Sequence, residues 1–285
     1  MQTKKMAFAG SWYPALEDEC RASIQNFLKD QKTIYKKNFI GGIVPHAGWD
    51  FSGSIACRVI AALKPDENTI VDTIMLFGAH MHENSKPFIL DKGYVETPFG
   101  NIEVNDEMVD EICKEIDIHR FSVQNFPNEN TLELQYPFIK YFYPEAKIVI
   151  CGISPSLLAT IIGKIVVKKA KKLFQTIRVI GSTDMTHYGP NFGFTSAGTA
   201  QEAYDWVKDE NDKAAINAML EMNEEKIIEQ GLKNKNMCCP GAVAATATAC
   251  KQLGATKAIE LEYTTSFEKS ASQNFVGYSG ILFFK

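Results

Sequence analysis

The chain has 285 residues, 45% hydrophobic and 22% charged, with a formal net charge of -4. That is an ordinary globular composition, long enough to bury a sizeable core. The acidic balance and the lack of aromatic-interleaved basic runs argue against a nucleic-acid partner, and no stretch approaches the ~20 apolar residues needed to span a membrane.

The N-terminal "MQTKKMAFAGSWYP" has no continuous apolar core of the signal-peptide kind. Short β-rich apolar runs then alternate with helical patterns. Residues 38–44 read as a strand, and 52–64 as a helix with Ser52 as N-cap. A strand over 73–79 precedes a helix over 105–116, whose acidic first turn suits the helix dipole. Residues 129–143 are mostly helical, with Pro137 starting or kinking a segment. A strand over 146–154 leads to a helix beginning near Ser154-Pro155. The lysines of 164–172 fall at helical spacing and read as a solvated face. A strand over 176–184, helices over 197–207, 210–230 and 240–253, and strands over 258–264 and 275–284 complete the chain. No linker, low-complexity tract or internal repeat interrupts residues 1–285, so one domain is expected. The alternation predicts an α/β/α sandwich around a mixed, largely parallel sheet.

Three of the five histidines stand just beyond predicted strands: His46 in "IVPH", His80 in "LFGAH" and His187 in "VIGSTDMTH". In open α/β sheets ligands bind beyond the carboxyl ends of the strands, so parallel strands would gather these imidazoles at one edge. His82 forms an H-x-H pair with His80, whereas His119 lies among charged residues beyond a helix end and reads as solvated. Asp184 sits three residues before His187, where a carboxylate can orient or charge an imidazole, although it could equally cap a helix. Glu129 and Glu133, four apart, read by default as solvated carboxylates.

The seven cysteines are odd in number and scattered, which does not suit a disulfide framework. A reducing cytoplasm is the expected setting. Cys238 and Cys239 directly precede Pro240 and a helix, where backbone N–H groups favour a thiolate; two small buried core residues are the plainer alternative. The other cysteines fall in predicted helices and strands as core. Dinucleotide, P-loop and nucleophile-elbow signatures are all absent.

Six segments, in order, resemble those of the Memo family. "AGSWYP" (9–14) is similar to its opening motif, and "PHAGWDFSG" (45–53) to its P-H-A-G-[YW] segment. "FGAHMH" (77–82) resembles its G-P-[SN]-H element, and "ETPFGNIEVN" (96–105) its T-P-[LF]-G stretch. "STDMTHYG" (182–189) resembles S-S-D-x-x-H-[YW]-G, and "CCPGAV" (238–243) resembles C-G-x-[GH]-[AP]-[IV]. The resemblance implies the fold of the class III extradiol dioxygenases, non-haem iron enzymes that open catechol rings.

It further implies that His46, His80 and Cys238 are metal ligands, and that His187, supported by Asp184, is the acid/base. Cys239 then stands at a glycine position of the motif, which leaves either sulfur a candidate. Fe(II) is the first expected ion, with copper and zinc as alternatives; the expected partner is a small-molecule substrate, aromatic ones included, or a peptide ligand. A redox enzyme, a non-catalytic binding protein and a zinc hydrolase built on His80, His82 and Asp184 are the competing functions. Two departures stand out: Asn130 replaces a histidine of E-H-S-[IL]-E, and the S-G-D-like C-terminal element is missing.

Overall fold

The computed structural model describes residues 2–29, 38–66 and 69–285. The expected apolar runs form the strands Phe39–Val44, Thr73–Gly78, Lys147–Gly152 and Ile177–Ser182. They lie parallel, in the spatial order Phe39–Val44, Ile177–Ser182, Thr73–Gly78, Lys147–Gly152. Apart from Lys147, every residue in them is buried, as strands covered on both faces must be. Phe275–Phe284 continues the sheet antiparallel to Phe39–Val44, and Lys257–Thr265 pairs along its length. On the opposite side Phe88–Leu90 runs antiparallel to Lys147–Gly152, with His119–Phe121 beyond it. The result is a mixed α/β sandwich with a parallel centre and antiparallel flanks.

Two consecutive glycines show why helices cover both faces. A β-carbon on Gly41 would lie 2.3 Å from Cys250 Sγ, in the helix Pro240–Gln252. One on Gly42 would lie 2.6 Å from Val59, in the helix Ser54–Ala62. Successive strand residues point to opposite faces, so these helices sit on opposite sides and approach the backbone closely. Leu157–Lys172 packs beside Pro240–Gln252. One apolar cluster runs through both layers, and a smaller one forms around Tyr188, Ala203, Val207 and Phe275. No helix among the described residues is long and apolar enough to cross a membrane.

Several element ends differ from the sequence expectation. Ser52 is not a cap; the helix begins earlier, with a π-helical turn at Trp49–Gly53, and the Ser52 hydroxyl donates back to the Ala47 carbonyl. The helix expected to begin near Ser154-Pro155 begins at Leu157, and Ser156 caps Leu157–Lys172 by accepting from Leu158 N–H. The helix expected over 210–230 is broken: Met222 adopts φ 52° and Asn223 caps a new helix, Glu224–Asn234. Residues 129–143 form two short helices, Asn130–Glu133 and Tyr136–Phe142, the second with Pro137 in its first turn. The solvated lysine face holds for Lys164, Lys168, Lys171 and Lys172 but not for Lys169, which is buried against Glu111 and Glu115. His119 is exposed as expected, yet it opens a strand.

Candidate metal centre at the carboxyl edge of the sheet

The register of the central strands determines where the site forms. Val44 pairs with Ser182, and Gly181 with Phe77, so three neighbouring strands end level. His46, Asp184 and His80 each follow two residues after such an end.

Each of these loops is pinned. The backbone N–H of His46 donates to Asp184 Oδ1 at 2.7 Å. The Pro45 and His46 carbonyls accept from the side-chain amides of Gln135 (3.0 Å) and Asn130 (3.3 Å). Trp49 then anchors the following turn, stacking on Phe138 at 4.1 Å and donating its indole N–H to the Leu134 carbonyl. On the neighbouring loop, Ala79 takes φ 74° and its N–H is held by the Thr131 hydroxyl at 2.8 Å, which directs His80 toward the cleft. Pro240 and Gly241 bring the cysteines in. A β-carbon on Gly241 would lie 2.4–2.5 Å from the carbonyls of Ser154 and Ile153, so only glycine lets this helix start so close to the sheet end.

The ligating atoms of His46, His80, Cys238 and Cys239 all lie within 4.8 Å of one another. Cys238 Sγ is 3.2 Å from His46 Nε2 and 3.6 Å from Cys239 Sγ. The far nitrogen of His46 is 3.0 Å from Ser182 Oγ, and His80 Nδ1 is 3.6 Å from Glu129 Oε2. Such outer contacts fix the orientation of metal-binding imidazoles. The Asp184 backbone N–H donates to Cys238 Sγ at 3.3 Å, and Cys238 N–H returns a bond to the Asp184 carbonyl.

Burial opposes a charge on Cys238, but the Cys239 thiol and the His46 and His187 imidazoles hold its thiol well below the ordinary range. Burial and the adjacent sulfur raise Cys239 in turn. Hydrogen bonding to Cys238 and then to Glu129 pushes His80 up to about 10. His46 is desolvated, yet Asp184 and Cys238 still raise it. The pocket thus favours a thiolate at Cys238, the form of cysteine that binds a metal.

His187 stands at the rim, its Nε2 3.9 Å from Asp184 Oδ2. That nitrogen is buried without a hydrogen-bond partner, and the ring meets the edge of Phe192 at 5.0 Å. Asp184 Oδ2 also lies 3.8 Å from His46 Nε2. One buried carboxylate therefore serves two imidazoles, with burial raising its own pKa against their pull. Asp184 is not a helix cap.

A Memo-like protein model matches residues 4–282. The chain belongs to the Memo family. It is 32% identical over 290 aligned positions to a MEMO1 family protein of Thermococcus onnurineus, covering 98% of both chains. A MEMO1 family protein of Thermococcus kodakarensis is 33% identical, over 97% of this chain and 98% of its own. One from Methanosarcina barkeri is 30% identical over 98% and 99%.

His46, His80, Cys238, Asp184 and His187, singled out in the sequence, come together at one edge. His82 is exposed and lies outside the group. Two glutamates behave differently from expectation. Glu133 is buried and accepts from the N–H groups of Ala7 and Phe8 and from the Tyr13 hydroxyl. Glu129 accepts from Thr131 and faces His80. Ser182 was not foreseen as a partner; the only hint was a buried strand turning polar at Ser182-Thr183-Asp184.

Proposed function

We propose that this Memo-family protein binds a transition-metal ion through His46, His80 and Cys238 and acts on a small electron-rich substrate. The observation carrying this is the convergence of two imidazoles and a thiolate, each with an outer partner, at the carboxyl edge of the sheet. The donor set suits Fe(II), copper or zinc, and the covered, partnerless Nε2 of half-buried His187 beside it marks a place for a further polar group. A bound iron or copper ion would supply electron-transfer chemistry and chelation of the substrate.

The chain's own residues supply the rest. His187 would hold a substrate proton or return one, and Asp184 favours the charged imidazole that results. Phe192 packs against that ring and shields one side of it from water. The Asn130 amide holds the His46 carbonyl, so this side chain keeps the loop in place and carries no titratable proton. That observation favours a second reading, a pocket that recognises a small or peptide ligand without turnover. The free thiols suit a reducing compartment such as the cytoplasm.

Elemental analysis after anaerobic, reducing purification tests the site: about one metal per chain is expected, lost in His46→Ala and Cys238→Ala. Unchanged metal content in both variants refutes it. Oxygen uptake with a catechol panel then separates the readings: turnover that drops in His187→Ala supports the enzyme, whereas stoichiometric metal without uptake supports binding alone.

A further inference from the structure

We infer that Cys239 is a fourth protein ligand, so that the centre is a two-sulfur, two-nitrogen site; this rests on the metal-binding reading above. Adjacent cysteines in a strand would point their side chains to opposite faces. Here Cys239 sits at the N-cap of Pro240–Gln252 with φ -128° and ψ 57°. That non-extended backbone turns both sulfurs to the same side, 3.6 Å apart. Each backbone N–H is tied to the loop after Ile177–Ser182: Cys238 donates to the Asp184 carbonyl and Cys239 to Thr183 Oγ1, both at 3.1 Å. The sulfurs are therefore held by the sheet edge as well as by their own helix.

The separations suit one ion. With metal–sulfur bonds of about 2.3 Å and metal–nitrogen bonds of about 2.0 Å, tetrahedral ligands lie about 3.8 Å apart for two sulfurs and about 3.5 Å apart for sulfur and nitrogen. The sulfurs here are 3.6 Å apart, and Cys238 Sγ is 3.2 Å from His46 Nε2. The other pairings among the four ligand atoms lie within 4.8 Å. Cys239 Sγ has no contact with a protein oxygen or nitrogen among the described hydrogen bonds, only with Cys238 Sγ. It is 2% exposed, so solvent does not supply it with a partner. Two thiolates with two imidazoles favour zinc or copper(I) over Fe(II), and four protein ligands leave a tetrahedral ion no open position. A substrate would then reach the metal only by displacing a ligand or by a fifth coordination.

Cobalt(II) is the probe. The protein and its Cys239→Ala and Cys239→Ser variants are loaded anaerobically with cobalt(II), and the sulfur-to-metal charge-transfer absorbance is read per bound cobalt. Wild type should show two-thiolate intensity, and both variants about half of it, at an unchanged stoichiometry near one. Zinc retention against a chelator should fall by about tenfold or more in the variants. The serine variant keeps the shape of the side chain, so a loss shared by both variants is not a packing effect; circular dichroism checks their folding. Equal charge-transfer intensity in wild type and variants overturns the fourth-ligand assignment and leaves the three-ligand site standing. If wild type takes up no cobalt, both inferences fall.

Discussion

Asp212 offers a test of how this fold handles a buried charge. It begins the helix Asp212–Leu220 and is fully buried. One oxygen accepts from the N–H and hydroxyl of Thr186, the other from the Tyr263 hydroxyl at 2.8 Å. No ion pair with Asp212 occurs among the described residues, and burial raises its carboxyl from 3.8 to about 7 despite these hydrogen bonds. Because the folded pKa is the higher one, the folded state holds a proton that the unfolded chain has released between about pH 4 and pH 7. The stabilisation is thus fully present below about pH 4 and is lost as pH rises through about 7. At about 1.4 kcal/mol per pH unit, the loss amounts to roughly 4 kcal/mol.

Asp212→Asn keeps an acceptor for Thr186 and removes the titration. Urea unfolding followed by tryptophan fluorescence at pH 4, 6 and 8 measures the effect. The stability of wild type relative to the variant should fall by up to about 4 kcal/mol across that range. A wild-type-minus-variant difference that is flat with pH would show Asp212 to be ionised in the fold and refute the reasoning.

Two further outcomes follow from the site. Glu129→Gln leaves the shape but weakens the carboxylate contact at His80 Nδ1, so metal affinity should fall about 10- to 100-fold in a chelator-competition titration; unchanged affinity would mean that Glu129 does not orient the ring. Trp49→Ala removes the stack on Phe138 and the bond to the Leu134 carbonyl. It should cost about 3–5 kcal/mol in denaturant unfolding and lower metal content through the loosened His46 loop.

Much of the architecture was legible because the signals are local. The apolar runs ending at Val44, Gly78 and Ser182 look like buried strands, and the polar residues just past them look like edge residues, whatever the rest of the chain does. The helix Pro240–Gln252 announces itself by its proline and small residues. The grouping of His46, His80 and Cys238 also followed from segments in a fixed order, although spacing alone could not have chosen them. The break at Met222 was harder, since it depends on a left-handed backbone residue inside an otherwise helical pattern.

By itself, then, the sequence determined which apolar runs become the central strands, roughly where helices follow them and the residue types available for chemistry. Only the tertiary structure decided which of those residues meet. Glu129 and Glu133 share a spacing that fits a wet helix face, yet one faces His80 and the other is sealed beneath the N-terminal segment by Ala7, Phe8 and Tyr13. His80 and His82 looked like a pair, yet only His80 points into the cleft. Cys238 and Cys239 turn to one side because the backbone at Cys239 is not extended, and Gly241 lets their helix start against the segment just past another strand. The physical reason is the same in each case: burial and metal-binding distance are set by contacts between residues far apart in the chain, and no local period encodes them.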